Sequence, residues 1–274
     1  MTPAPGIYAD IPNETYHSWP GVSKSMLDKL TETPAHLKDY MDDQDEHVQT
    51  PAMLLGSATH VSVLLPDRFD GEYIVMPDID GRTAEARAFR VAAKKKGKVP
   101  LSHIDGRWIK AISARVRDTV FFKRCMNRQP LIENSIVWEM DDYLCRARPD
   151  MIADDMVIDL KTTIQSCNNF HNEIFRRRYH WQAYWYLKGC ENVGIDCHTF
   201  MIIAAHKQRP FLVSLHEITR ESEAYAVAAE ECEAAFDTYK TCMRSGVWPG
   251  YPSEPIPVQV PSSRQHEVLI EESF

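Results

Sequence analysis

Residues 145–163 read CRARPDMIADDMVIDLKTT, and this stretch decides the fold. It reads as two short strands joined by a turn at Ala153-Asp154-Asp155. The first ends in Arg148-Pro149-Asp150. The second, Met156-Val157-Ile158-Asp159-Leu160-Lys161, is apolar until it delivers two opposite charges. Side chains two apart on a strand point the same way. Asp159 and Lys161 therefore share one face, with Ile158 and Leu160 on the other. The turn can bring Asp150 up beside Asp159, so that two carboxylates and one ammonium converge.

Two carboxylates suit a hard divalent cation, which takes a few protein oxygens and keeps positions open for water and phosphate. Such an ion activates water and stabilises charge on a phosphate in transit. A lysine beside it can orient or deprotonate that water, or neutralise the phosphate. Asp…Asp-x-Lys is thus the outline of a phosphodiester-hydrolysis site. An Asp and a Lys two apart at a strand end also describe a solvated rim. The placement of both at the end of an apolar strand favours the site.

The 274 residues can bury one large domain, and 44% hydrophobic with 26% charged residues is ordinary for a globular protein. No apolar run approaches the roughly 20 residues of a membrane span. The N-terminal MTPAPGIYADIPNETYH lacks the pattern of a secretory signal, so a cytoplasmic location is expected. Seven cysteines without a C-x-x-C make a poor disulfide or zinc frame and read as reduced thiols, although Cys190 and Cys197 flank a turn and can pair. A net charge of −8 excludes a protein that coats nucleic acid indiscriminately, while leaving room for a local basic track.

Outward from the central stretch, residues 1–20 read as irregular and Ser23 as the N-cap of a helix, with a second short helix at His36–Tyr40. Residues 41–49 form an acidic loop. Pro51–Leu65 is an apolar helix with Gly56 and His60 on one face; His60 is either a core histidine or a neutral imidazole added to the carboxylates. A strand is expected at 69–76 and a basic helix at 82–98, with Arg87, Arg90, Lys94, Lys95 and Lys96 as candidate phosphate contacts or a solvated face. One helix is expected over 105–127, with Val120 in its core face, and one strand over 131–140, carrying Glu133. Residues 162–175 read as irregular. Arg176-Arg177-Arg178, further candidate phosphate contacts, then open a helix on which Gln182 and Tyr186 share a face. A hairpin spans 195–218 and a long helix 220–245. The proline-rich, acidic tail after Trp248 is expected to be extended or disordered, which gives one domain over 1–248 and a tail over 249–274.

In sequence order, Gly56-Ser57-Ala58-Thr59-His60, Glu133, Arg148-Pro149-Asp150, Asp159-Leu160-Lys161 and Gln182-x-x-x-Tyr186 together resemble the RecB-type PD-(D/E)xK nucleases. ENSIVWE, LCRARPDMI, VIDLKTT and RRYHWQAYWY resemble the RecE-like exonucleases among them, over about Val22–Trp248. The resemblance implies an α/β fold, a central mixed sheet flanked by helices as in restriction endonucleases. It implies Mg²⁺, with Mn²⁺ as a substitute, held by His60, Asp150, Asp159 and the Leu160 carbonyl. Lys161 would be catalytic, Glu133 an acid near the metal, and Gln182 and Tyr186 accessory residues. The implied activity is processive 5′-to-3′ digestion of linear double-stranded DNA. The 3′ overhangs would pass to a single-strand-annealing recombinase. A ring-shaped homo-oligomer, tetramer or trimer, is implied as well. The same residues also fit an endonuclease of this fold, restriction-type or structure-specific, or a DNA-end-binding module without turnover. Without the long N-terminal extension seen in the RecE-like family, the sequence resembles a free-standing, phage- or prophage-like version, which is the expectation here.

Overall fold

The apolar run Met156–Thr163 forms the middle strand of a five-stranded sheet, and the rest of the chain covers the two faces of that sheet. The computed structural model describes residues 2–42 and 50–258. The chain opens with β1 (Gly6–Tyr8), α1 (Asn13–Ser18), α2 (Lys24–Leu30), α3 (Pro34–Asp42), α4 (Pro51–Leu64), α5 (Pro66–Glu72), β2 (Tyr73–Val75), α6 (Ala84–Lys95) and β3 (Val99–Leu101). It continues through α7 (His103–Asp118), α8 (Val120–Met126), β4 (Leu131–Ile132), β5 (Ser135–Met140), β6 (Tyr143–Ala147), β7 (Met151–Ala153), β8 (Met156–Thr163) and α9 (Cys167–Arg176). It closes with α10 (Tyr179–Asn192), β9 (Thr199–His206), β10 (Val213–Thr219) and α11 (Glu223–Ser245).

The central sheet has the order β10-β9-β8-β7-β4, with β8 parallel to β9 and the other pairs antiparallel. It is the mixed sheet between helices that the resemblance implies. Alternation along β8 explains the layering. Val157 faces a core shared with Ile202, Ala204 and the α10 and α11 side chains Trp185 and Phe236. Ile158 and Leu160 face a second core with Val63 of α4 and Ile112 and Val116 of α7. A separate sheet, β1-β5-β6, lies under α10. There Trp138 and Trp185 pack with ring centroids 5.3 Å apart. Gly189 permits that approach, because a Cβ on it would lie 2.8 Å from the Trp138 ring.

Several local expectations are corrected. Of the stretch expected to be irregular, residues 2–20 are ordered by tertiary contacts: β1 pairs with β5, and α1 buries Tyr16. Pro66 at a helix start carries α5 through to Glu72, which leaves only Tyr73–Val75 extended. Thr119 breaks the helix expected over 105–127. It is extended (φ −64°, ψ 142°) and caps α8 through its hydroxyl, so Val120 is 85% exposed instead of in the core. The strand expected over 131–140 is interrupted at Glu133 (φ +50°), and its halves join different sheets. The first strand of the central pair is likewise two strands: β6 ends at Ala147 in one sheet, β7 starts at Met151 in the other, and Asp150 lies between them. Residues 167–176 are helical because Phe170 and Ile174 recur on one buried face. The three arginines end that helix and turn the corner, with Arg178 left-handed (φ +51°) just before α10.

Of the acidic loop, only Met41 and Asp42 are among the described residues, and they end α3. The Pro249 carbonyl accepts a hydrogen bond from Ala35 N (3.0 Å), and the Tyr251 hydroxyl donates to Glu32 (2.7 Å). Residues 259–274 of the expected tail lie outside the described ones. All seven cysteines are free thiols, and Cys190 and Cys197 are buried together in one core. Among the described residues no helix is long and apolar enough to cross a membrane.

Candidate active site

Asp159 and Lys161 leave the same face of β8, and the Lys161 Nζ lies 2.6 Å from the Asp159 Oδ2. Asp159 is only 2% exposed. Its other oxygen, Oδ1, accepts a hydrogen bond from the Gln182 amide on α10. Tyr186 follows Gln182 by one helical turn and lines the same cavity. The Tyr179 ring, at the start of α10, lies 4.8 Å from the Lys161 ammonium. Asp150 precedes β7, where its Oδ2 accepts a hydrogen bond from the Leu160 backbone N–H (2.7 Å). The His60 Nδ1, from α4, lies 3.3 Å from that same oxygen. Beside the helix, Gly56 faces Thr162, whose Oγ1 would lie 3.7 Å from an added Cβ, an ordinary contact. Glu133 donates its backbone N–H to the Asp150 carbonyl (3.0 Å), which places its half-buried side chain next to the group.

The charges set one another. Burial opposes a charged Lys161, but the carboxylates of Asp159 and Asp150 outweigh it and hold its pKa above the ordinary lysine value. Burial pushes the Asp159 carboxyl up; Lys161 opposes that rise and the Asp150 charge adds to it. Asp150 goes the other way. Despite burial, His60, Lys161 and the Leu160 N–H hold it below the usual carboxylate range. His60 is raised in turn, because Asp150 outweighs its desolvation. Glu133 is raised by burial and by the Asp150 charge. Burial takes the Tyr186 phenol well above its ordinary range, against a hydrogen bond from Gln182.

Carboxylate oxygens and an imidazole nitrogen are the donor chemistry of a divalent-metal site. One further feature fits. The buried Asp159 Oδ2 makes no hydrogen bond, although the Lys161 ammonium stands beside it out of line. The side chains are engaged as ion pairs, Asp150 with His60 and Asp159 with Lys161. Among the described residues no three His, Cys, Asp or Glu side chains already meet as a cage. An ion bound there would compete with Lys161 for the Asp159 carboxylate and with Asp150 for the His60 Nδ1.

Lys161, Gln182 and Tyr186 open on a cavity of about 390 Å³ whose lining also includes Lys24, Arg146, Arg148, Tyr16 and Tyr179, while His60, Glu133, Asp150 and Asp159 lie outside that lining. Sequence reasoning missed Lys24, Arg146, Tyr16 and Tyr179. Lys24 stood beside the Ser23 N-cap, and Arg148 stood within the quoted Arg-Pro-Asp, but only the docking of residues 10–25 against β6 brings them to the site. Of the expected phosphate contacts, Arg87, Lys94, Lys95 and Lys96 are exposed on α6 and Arg90 is half-buried. Arg176 and Arg177 are both paired with Glu173, through contacts of 2.6 Å each, and the Arg178 guanidinium lies over Trp181.

The model of a PDDEXK-like domain of unknown function, DUF3799, matches residues 23–257. The chain belongs to that PDDEXK-like family. DUF3799 membership places it among the PD-(D/E)xK nucleases, whose chemistry depends on a divalent metal. A protein from Eubacterium rectale provisionally described as an exonuclease shares this DUF3799 chain's fold. It has a TM-score of 0.64 and 15% identity, over 94% of this chain and 98% of that one. A phage-related exonuclease from Haemophilus somnus matches with a TM-score of 0.34 and 13% identity, over 83% of this chain and 96% of that one. An alkaline exonuclease from Laribacter hongkongensis matches with a TM-score of 0.33 and 11% identity, over 82% and 90%. Among curated proteins there is no match.

Proposed function

We propose that this nuclease is an exonuclease that digests linear double-stranded DNA, with Mg²⁺ as its metal and Mn²⁺ able to substitute. The observation that carries the reading is the buried Asp159–Lys161–Gln182 cluster, set beside Asp150–His60, with Lys161 and Gln182 lining a cavity of one-nucleotide scale. In this reading His60, Asp150, Asp159 and the Leu160 carbonyl hold the ion. When bound, it supplies an activated water and neutralises developing charge on the scissile phosphate. Lys161, kept protonated by its two carboxylates, pairs with a phosphate oxygen. Gln182 fixes the Asp159 carboxylate in orientation, and Tyr186 closes the cavity behind it. Glu133 adds a carboxyl beside Asp150 that is held above its ordinary pKa.

The finer reading is processive digestion in the 5′-to-3′ direction, leaving a 3′ overhang for a single-strand-annealing recombinase. Four copies, or three, would form a ring around the duplex. A ring reconciles a net charge of −8 with DNA binding, because only its channel has to be basic. The α6 lysines would then track phosphates, while Arg176 and Arg177 contribute less, since Glu173 already engages them.

The test compares wild type with Asp159→Asn on linear duplex and on covalently closed circles, with Mg²⁺ or with a chelator. Metal-dependent nucleotide release from linear DNA by wild type alone is expected. Equal degradation by both proteins removes the site; cleavage of closed circles at discrete positions makes the enzyme an endonuclease. Blocked 5′ or 3′ ends report polarity, and sedimentation reports the subunit number.

A further inference from the structure

The N-terminal segment, residues 11–21, precedes the part matched by the DUF3799 model, which begins at residue 23. It nevertheless supplies Asn13, Tyr16 and His17 to the cavity that holds Lys161, Gln182 and Tyr186. Two arginines from β6 and its end hold it there. The Arg148 Nη2 donates to the Ile11 carbonyl (3.0 Å), its Nη1 to the Asn13 Oδ1 (2.8 Å) and its Nε to the Ser135 Oγ (2.9 Å). The Arg146 Nη1 donates to the Tyr16 carbonyl (2.9 Å) and its Nε to the Gly21 carbonyl (3.2 Å). Both guanidinium groups also lie over the Tyr16 ring, at 4.7 Å and 4.2 Å from its centroid. Arg146 is further tied to α10, because its carbonyl accepts the Trp185 indole N–H (3.1 Å).

On residue type alone, two arginines in a nuclease cavity would be read as phosphate ligands. Their planar forks are instead engaged in the protein: Arg148 commits all three of its nitrogens and Arg146 two. Tyr16 is 8% exposed and Arg146 is 8% exposed. Such a buried, forked and stacked clamp fixes a surface in place. The surface it fixes is a wall on the cavity that Lys161 also lines, the side chain that would pair with a phosphate oxygen. A cavity of about 390 Å³ is at the small end of ligand pockets and suits about one nucleotide.

We infer that residues 11–21 form an end stop, a wall that admits the terminus of a strand and blocks a strand that continues. Arg146 and Arg148 are positioning residues for that wall. This inference rests on the exonuclease reading above and adds what would make the site read an end: one terminal nucleotide fills the space between Lys161 and the wall formed by Asn13, Tyr16 and His17. The expected product is therefore the mononucleotide, and closed circles are refused because their strands have no terminus to place there.

Two sets of variants test this. Tyr16→Ala with Arg148→Gln unclamps the wall; Asn13→Ala with His17→Ala trims two exposed side chains from it, giving up the Arg148–Asn13 hydrogen bond and keeping the other clamp contacts of Arg146 and Arg148. Product length is read on end-labelled linear duplex, and nicking is read on closed circles. Wild type is expected to release mononucleotides and leave circles intact. The variants are expected to shift release toward di- and trinucleotides and to raise nicking at least tenfold, a change that general loosening of the fold does not produce. The inference is overturned if wild type itself releases oligonucleotides. It is also overturned if the Asn13/His17 variant, folded by its melting transition and active on linear DNA, still yields mononucleotides and spares circles. In that case the exonuclease reading stands. If wild type shows no metal-dependent degradation at all, both fall.

Discussion

Lys161→Met would leave the Asp159 carboxylate buried without its counter-ion, and the consequences can be worked out in advance. The pair is close (2.6 Å) and Asp159 is only 2% exposed. Removing one partner of such a pair costs about 3–5 kcal/mol. The lower figure, about 3 kcal/mol, applies because the Lys161 side chain is 21% exposed and the Gln182 hydrogen bond survives. There is also a ceiling. Asp159 is already raised by burial, and without Lys161 it can escape the penalty by taking up a proton. At pH 7, holding an ordinary carboxyl of pKa about 3.9 in its protonated form costs about 4 kcal/mol. The sign follows. An acid whose folded pKa is raised destabilises the fold at high pH, and the penalty fades as pH falls toward the unfolded value. The loss should therefore shrink by up to roughly 1.4 kcal/mol per pH unit below neutrality. Asp159→Asn combined with Lys161→Met should recover stability to within about 1 kcal/mol of wild type, since the buried charge is gone. Urea unfolding in the presence of chelator, from pH 5 to 8, measures all three proteins. If the single and double variants lose the same stability, or the loss does not change with pH, Asp159 and Lys161 are not the coupled buried pair described above.

Other outcomes follow from the same geometry. His60 is raised by Asp150, and only a neutral imidazole binds metal, so Mg²⁺ or Mn²⁺ affinity should climb as pH rises through the His60 range. Calorimetric titration across pH 6–8.5 checks it, and His60→Gln should flatten the trend. The stability from the His60–Asp150 pair should run oppositely on its histidine side: present below the unfolded histidine pKa and lost as pH rises through the raised folded value. On the aspartate side it should be lost as pH falls through the lowered Asp150 value. Replacing Lys94, Lys95 and Lys96 with alanine should flatten the salt dependence of duplex binding by about 2.7 in log–log slope if all three neutralise phosphates. Arg176→Ala should change it less, because Glu173 already engages that guanidinium. Gly189→Ala would press a Cβ within 2.8 Å of Trp138 and should lower stability by about 1–3 kcal/mol in thermal or urea unfolding, with no change in metal binding.

The reading from sequence went furthest where local pattern and tertiary demand agree. The alternation in Met156–Lys161 placed Asp159 and Lys161 on one face, and the helical spacing of Gln182 and Tyr186 placed both on one side of α10. In the fold those two faces meet. Pattern failed where a single residue turns the chain. Glu133 adopts a left-handed conformation with no glycine to announce it, and Thr119 interrupts a periodicity that otherwise continues past it. The N-terminal wall was illegible for another reason. Its proline-punctuated sequence has little propensity of its own, and its order comes from two arginines more than a hundred residues away, as in the Arg148–Asn13 and Arg146–Tyr16 contacts. At 176–178 charge alone cannot show that Glu173, three residues before the run, already engages two of the three arginines.

Asp150 leaves an awkward choice for anyone wanting an inactive protein that still grips its substrate. One of its oxygens accepts the Leu160 N–H, so the side chain stands in for a backbone acceptor at the mouth of the hairpin. Truncation to alanine would orphan that N–H and loosen the very strand that carries Asp159 and Lys161. Weak capture of DNA by such a mutant would then say as much about a frayed scaffold as about lost chemistry. Asparagine keeps an oxygen at that position and removes only the charge, which makes it the cleaner trap.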